Sequence, residues 1–141
     1  SHLTIGTNSF RRHTPGMHTG IRLVNSRDCL INGCTVEDRE PEGQKTGASL
    51  LELERCLRIN VSGCQFLGGV PYGVDALACS QTNISGCTFA DWREDRKAKG
   101  ALRFQGAGQA NLVTGNIIGL DVPEPLLCGP GVQVKDNVIG E

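Results

Sequence analysis

Val61-Ser62-Gly63-Cys64-Gln65-Phe66 is one copy of a six-residue pattern that decides the fold. An apolar residue is followed by two mostly small residues, by Cys or Asn, by any residue and by a second apolar residue. The pattern occurs six times, and the other copies are Ile5–Phe10, Ile31–Val36, Ile84–Phe89, Val113–Ile118 and Val134–Ile139. The Cys/Asn positions are 8, 34, 64, 87, 116 and 137, so their spacings are 26, 30, 23, 29 and 21 residues. A constant pattern with variable spacing indicates one repeated unit joined by loops of different length.

A second alternating run precedes most copies of the pattern. Its apolar pairs are Ile21 and Leu23, Leu51 and Leu53, Val74 and Ala76, and Leu102 and Phe104. Each pair alternates with polar residues, which is typical of a strand with one buried face. The small residues inside the pattern predict a tight corner at which glycine adopts a positive φ. Short strands stacked about 4.8 Å apart would bury each coil only against its neighbours. We therefore predict an all-β fold, a single-stranded parallel β-helix (solenoid) of about five to six coils that forms one domain over residues 1–141.

From Leu3 to Ile139 the sequence resembles the right-handed β-helix, or pectin-lyase-like, superfamily. In that superfamily the tight corner often carries a stacked ladder of inward Asn side chains. Asn8, Asn116 and Asn137 fit this ladder, and the middle coils carry Cys34, Cys64 and Cys87 in its place. The resemblance implies a right-handed solenoid, association with carbohydrate, and an extracellular or periplasmic location. The same fold hosts lyases, hydrolases, epimerases and non-catalytic adhesins, so it does not select one reaction.

Composition excludes several classes of partner. Fourteen basic and fifteen acidic residues give a net charge of −1, which argues against a nucleic-acid-binding protein. No apolar run approaches the roughly 20 residues of a membrane-spanning helix. The sequence predicts no metal and no cofactor, since the seven cysteines form no CxxC pair.

The cysteines allow three interpretations. Cys34, Cys64 and Cys87 are expected to face inward in consecutive coils, as small buried hydrophobic residues. A disulfide between stacked coils and a site of three thiolates holding a metal are the alternatives. The three cysteines further upstream, near the first corner, have the same interpretation; they are Cys29, Cys56 and Cys79.

One outward residue per coil lies between the inward pairs of the first sheet. Stacking places these four residues in a row, Arg22–Glu52–Asp75–Arg103, with two carboxylates between two guanidinium groups. Adjacent carboxylates about 5 Å apart suit glycoside chemistry, so Glu52 and Asp75 are candidate catalytic residues. Arg22 and Arg103 are candidate substrate-binding residues, because a planar guanidinium matches a uronate or a sulfate. The alternative is a solvated charge ladder whose opposite charges pair across neighbouring strands.

The long loops after each copy of the pattern hold the remaining candidates. Tyr72 and Trp92 are candidate substrate-binding residues that would stack on sugar rings; alternatively, they pack over the rim of the core. His13 and His18 would lie near the acidic run that begins at Glu37. There they would bind a metal or relay a proton, unless they are simply solvated.

Two functions follow from the sequence. The first is a carbohydrate-associated module that binds, and cleaves or epimerises, an acidic polysaccharide along the first sheet; as an enzyme it would be a polysaccharide lyase or a glycoside hydrolase. The second is a non-catalytic structural or adhesive solenoid that presents loops. The first is the expected function and the second is the alternative, for which the lack of a clear match to the paired-Asp signature of polygalacturonases or the calcium-binding Asp cluster of pectate lyases argues.

Self-association is the last expectation. Leu3 lies directly in a coil and Glu141 follows the last copy of the pattern. Solenoids need covered ends, because a bare end coil exposes strand edges and apolar surface. We expect the chain to be a segment of a larger protein, or to associate end-to-end or side-by-side with another copy.

Overall fold

The computed structural model describes residues 3–12, 20–39, 48–94 and 97–140. These residues form short strands joined by turns and loops. In chain order the strands are β1 (Leu3–Gly6), β2 (Ser9–Arg12), β3 (Ile21–Val24), β4 (Arg27–Asn32), β5 (Thr35–Asp38), β6 (Leu51–Glu54), β7 (Leu57–Ser62), β8 (Gln65–Leu67), β9 (Val74–Leu77), β10 (Asn83–Ser85), β11 (Thr88–Ala90), β12 (Leu102–Gln105), β13 (Asn111–Thr114), β14 (Ile117–Gly119), β15 (Leu126–Cys128), β16 (Val132–Lys135) and β17 (Val138–Ile139).

Successive strands belong to three different parallel sheets, and every third strand returns to the same sheet. Sheet A has the order β1-β4-β7-β10-β13-β16, sheet B the order β2-β5-β8-β11-β14-β17, and sheet C the order β3-β6-β9-β12-β15. The pairing is parallel throughout, for example between β4 and β7 and between β6 and β9. This arrangement confirms the predicted parallel β-helix.

The core is a set of apolar columns that run from coil to coil. In sheet A, Ile31 pairs with Val61, Val61 with Ile84, and Ile84 with Val113, and all four side chains are fully buried. In sheet B the rings of Phe66 and Phe89 stack with their centroids 5.2 Å apart. The predicted inward pairs of sheet C are buried as well. The apolar positions of both sequence runs are therefore confirmed as the core in the middle coils, whereas Ile5 and Phe10 are partly buried and Val134 and Ile139 are exposed in the end coils.

The tight corner between sheets A and B has the left-handed backbone that the small residues predict. Gly33, Gly63, Gly86 and Gly115 have φ values between 60° and 66°, which glycine adopts without the steric cost of a Cβ. The first corner, between sheets C and A, instead contains left-handed residues with side chains, among them Arg55 at φ 51° and Arg58 at φ 54°. Both corners thus need a left-handed backbone, which these four glycines supply at the tight corner and residues with side chains supply at the first corner.

The asparagine ladder is confirmed in the last coils. Asn116 accepts the N–H of Cys87 on Oδ1 at 2.9 Å and donates from Nδ2 to the carbonyl of Ile84 at 3.1 Å. Asn137 repeats the second contact one coil later, where it donates to the carbonyl of Val113. Asn8 is exposed at the other end and donates to the carbonyl of Gly6 at 2.8 Å.

The cysteines are free thiols, so the disulfide interpretation does not apply to this structure. At the tight corner the thiols of Cys34, Cys64 and Cys87 are buried and face carbonyls of the preceding coil, as the Asn amides do. Cys56 and Cys79 occupy the first corner. Cys29 lies in β4, directly after the left-handed Asp28, and pairs with Ile59 of β7.

Candidate functional site

The four outward residues predicted to form a row lie next to one another on sheet C. Arg22 is in register with Glu52, Glu52 with Asp75, and Asp75 with Arg103. The row forms because residues alternate between the two faces of a strand and parallel strands stack in register. Neighbouring backbones are about 4.8 Å apart in such a sheet, so the row presents its charges at a regular spacing. Its placement is confirmed, and its roles in binding and catalysis stay predictions.

Asp75 and Arg103 form a bidentate ion pair at one end of the row. Their atoms are 3.0 Å apart between Nε and Oδ1 and 2.7 Å apart between Nη2 and Oδ2. The guanidinium carbon of Arg103 lies 4.7 Å from the centroid of the Tyr72 ring, a cation–π distance. The hydrogen bonds from Arg103 to Asp75 raise the pKa of Arg103. Both charges are therefore held in place rather than free.

Tyr72 and Trp92 differ in accessibility. Tyr72 is 5% exposed, so its ring packs against the rim of the core and supports Arg103. Trp92 is 56% exposed, and the guanidinium carbon of Arg93 lies 5.5 Å from its ring centroid. Of the two rings, only Trp92 has an open surface on which a sugar could stack.

The other end of the row pairs diagonally. Arg22 donates to Glu54 at 3.1 Å and not to Glu52, its direct neighbour in register. Arg55 also pairs with Glu54, and the hydrogen bond from Arg22, followed by the charge of Arg55, lowers the pKa of Glu54. Sequence reasoning missed Glu54 and Arg55, although the alternation in β6 does place Glu54 on the outer face.

Glu52 is consequently the carboxylate of the row that pairs with no described side chain. It is half-buried, and its side chain has no hydrogen-bond or ion-pair partner among the residues that the structure describes. Its two register neighbours are committed elsewhere, Arg22 to Glu54 and Asp75 to Arg103. A carboxylate without a partner beside a paired one is available to a ligand or to a proton.

A buried ion cluster, which we call the Arg93 hub, lies at the third corner between sheets B and C. Arg93 is 3.2 Å from a carboxylate oxygen of Asp38 and 3.3 Å from one of Asp91, and all three side chains are nearly inaccessible. Arg93 also donates to the carbonyls of Asp38 and Gly68. Gly68 has a φ of 77°, and a Cβ there would lie 2.8 Å from the carbonyl oxygen of Asp38. The hub ties three successive connections together directly beside Trp92.

The remaining candidates are the two loop histidines and the acidic run that begins at Glu37. His13 and His18 lie outside the described residues. Glu37 forms ion pairs with Arg11 at 3.4 Å and with Arg39 at 2.9 Å. Within the described ranges, no three His, Cys, Asp or Glu side chains are grouped so as to hold a metal ion. The same ranges contain no helix with the length and apolar character needed to cross a membrane.

Comparison with known proteins concerns the architecture. A family model described as "Right handed beta helix region" matches residues 1–139. No curated protein and no solved structure matches the chain. The match covers nearly the whole sequence, and it assigns no reaction, because one solenoid fold carries many chemistries.

Proposed function

The chain belongs to the right-handed β-helix family, and on this premise we propose that it binds an acidic polysaccharide along the outer face of sheet C. The observation that carries the proposal is the in-register row of Arg22, Glu52, Asp75 and Arg103. A guanidinium group can pair with a carboxylate or sulfate group of such a polymer, and the two carboxylates of the row lie between the two guanidinium groups. The row has a guanidinium group at each end, and each strand contributes one charged side chain to it.

Arg22 is the residue best suited to hold an anionic sugar. Its side chain is 56% exposed, and its contact with Glu54 uses one of its five N–H donors. The remaining donors can form a bidentate pair with a uronate carboxylate or a sulfate. Arg103 contributes less directly, because its Nε and Nη2 atoms are both bonded to Asp75.

Trp92 supports the proposal as a stacking surface. It lies on the connection that leads from β11 to β12, the strand that carries Arg103. The buried contacts of the adjacent Arg93 fix the backbone next to the indole. An aromatic ring that is already ordered loses little conformational freedom when a sugar stacks on it.

Cleavage or epimerisation is the finer part of the proposal, and it depends on Glu52. Both carboxylate oxygens of Asp75 are bonded to Arg103, so its role would be to stabilise positive charge on a sugar ring. Glu52 has no such partner among the described residues, so it is the carboxyl that can transfer a proton. A lyase or epimerase would use it as a base, and a hydrolase would use it as an acid.

The test is a binding and turnover screen with polygalacturonate, alginate, a sulfated glycan and a neutral glucan. Affinity electrophoresis would detect binding, and ultraviolet absorbance together with new reducing ends would distinguish a lyase from a hydrolase. Arg22→Ala should weaken binding of the acidic polymer by about tenfold, the loss expected for one charge-assisted hydrogen bond. Arg58→Ala is the matched control, because Arg58 is an exposed arginine that pairs with Asp28 at the first corner. Glu52→Gln should abolish turnover and preserve the fold.

A second function, the non-catalytic structural or adhesive solenoid, is favoured by the pairing across coils. Asp75–Arg103 and Glu54–Arg22 are satisfied pairs between neighbouring strands, as expected for a ladder that only stabilises the sheet. If no polymer in the screen binds and no product forms, this second function is supported and the first is rejected.

A further inference from the structure

Two cysteines of successive coils meet at the first corner, where the function proposed above assigns no role to them. Glu54 is in register with Leu77, and Leu57 pairs with Ser80, so Cys56 lies opposite Cys79. The thiol of Cys56 donates to the carbonyl of Leu23 at 3.4 Å and that of Cys79 to the carbonyl of Leu53 at 3.6 Å, so the two thiols have the same orientation in successive coils. Both are almost completely buried, at 3% and 2% exposed.

The backbone at this position suits a covalent link between the two sulfurs. Stacked residues of neighbouring parallel strands have Cα atoms about 4.8 Å apart. This separation lies within the roughly 4.4–6.8 Å range of Cα distances in disulfides. A bond between Cys56 and Cys79 therefore requires rotation of the side chains and little movement of the coils.

A cavity lies against one member of this pair. Cys79 is among the residues that line a space of about 130 Å³, whose other walls include Phe104, Asn111 and the segments 105–108 and 129–132. The space exceeds the share of a water molecule in the liquid, about 30 Å³, several times over, and peroxide is only slightly larger than water. Cys64 and Cys87 are stacked in the same way at the tight corner, but neither of them lines this cavity.

The contact between the thiols also favours ionisation. Contact with Cys79 lowers the pKa of Cys56, against the opposing effect of burial. The same contact, together with burial, raises the pKa of Cys79. Cys128 has no such neighbour, and burial raises its pKa to about 11.

We propose that Cys56 and Cys79 form an oxidation site for hydrogen peroxide, at which a disulfide closes between two coils. One sulfur of the pair attacks, as the thiolate, one peroxide oxygen, the O–O bond breaks, and the leaving hydroxide is protonated to water. The second sulfur then attacks the resulting sulfenic acid, the S–O bond breaks, and its proton leaves with the oxygen as a second water. In total, two thiols are oxidised by two electrons, and one peroxide is reduced to two waters.

Peptide mapping after a limited exposure to hydrogen peroxide tests the proposal on the whole chain. Remaining thiols are alkylated, and the protein is unfolded and digested with trypsin. Cleavage after Arg55 and Arg58 isolates the tripeptide 56–58, so the disulfide would attach this tripeptide to peptide 59–93. The linked peptide should form first, before any modification of Cys128. Its rate of formation should rise with pH, because the thiolate is the attacking species.

Variants identify the partner within peptide 59–93, which also contains Cys64 and Cys87. Cys79→Ser should abolish the linked tripeptide, and the matched control Cys87→Ser should leave its yield unchanged. If Cys64 and Cys87 link first in the native chain, or if Cys128 oxidises first, the proposal is overturned. The peptide map of the unmodified chain decides this even if a serine variant does not fold. Since no sugar is involved, the outcome is independent of the polysaccharide proposal.

Discussion

At the residue scale, one side chain per coil determines whether the backbone at the tight corner is fully hydrogen-bonded. The Asn116 amide accepts one N–H and donates to one carbonyl of the preceding coil. A thiol is a donor and only a weak acceptor. Accordingly, Cys64 donates to the carbonyl of Ile31, and it has a thiol, that of Cys87, at the position from which the Asn116 oxygen accepts the N–H of Cys87. The amide is the more complete ladder residue because it has both functions.

Replacement of Asn116 by alanine tests this difference. The variant leaves the N–H of Cys87 and the carbonyl of Ile84 unpaired inside the solenoid, and each unpaired buried group costs about 1–3 kcal/mol. Urea unfolding should show a loss of about 2–4 kcal/mol in the free energy of unfolding. Asn8→Ala is the matched control, because Asn8 occupies the same ladder position but is exposed. Equal losses in the two variants would contradict the role assigned to the ladder.

At the scale of elements, the Arg93 hub connects three successive coils at the points where the chain leaves sheet B. Its guanidinium group joins Asp38 at the end of β5, Gly68 after β8 and Asp91 after β11. Burial makes the effective dielectric constant low, so an unpaired charge there is costly. We therefore expect these loops to unfold together with the coils and not before them.

Arg93→Ala should expose this coupling. Removal of one partner leaves buried carboxylates uncompensated, which costs about 3–5 kcal/mol in comparable buried pairs. Arg58→Ala removes an exposed ion pair with Asp28 and should leave the urea midpoint nearly unchanged. Hydrogen exchange should show faster exchange in residues 68–72 and 91–94 of the Arg93 variant alone. A loss confined to residues 91–94 would show that the hub does not couple the loops.

The candidate site was predictable only where it follows the strand period. The row from Arg22 to Arg103 could be identified because outward positions repeat every second residue and coils stack in register. Arg22 pairs with Glu54 and not with Glu52. This pairing depends on side-chain rotamers, which the two-residue period of a strand does not determine. The Arg93 hub joins three loops of irregular length, so no spacing in the sequence indicates it.

At the scale of the whole molecule, the six-residue pattern was sufficient for the architecture. It marks one corner per coil, and the strands on both sides follow from the apolar residues at fixed distances from the Cys/Asn position. The course of the loops was not predictable, because their contacts are made with the loops of neighbouring coils. Repetition thus determines the scaffold, and the residues outside the repeat determine its surface.

The two end coils of the 141-residue chain support a last prediction, the end-to-end association of two copies. Val134 and Ile139 continue the buried columns of Val113 and Ile118, yet they are 42% and 52% exposed. At the opposite end, Leu3 is 43% exposed. Among the described residues, the strands at each end of the three sheets pair on one side only, so another strand can add to them. Because the two edges differ, head-to-tail stacking would be a heterologous contact.

Analytical ultracentrifugation over a range of concentrations checks this. The parent chain should associate, whereas Val134→Lys, which blocks one edge, and Leu3→Lys, which blocks the other, should each be monomeric. A mixture of these two variants should form a one-to-one dimer, because each retains the edge that the other lacks. The control Ile117→Lys alters a 55% exposed residue on the outer face of sheet B and should associate as the parent does. Association of Leu3→Lys alone would indicate contact between two copies of the C-terminal edge, and a monomeric parent chain would refute self-association at these ends.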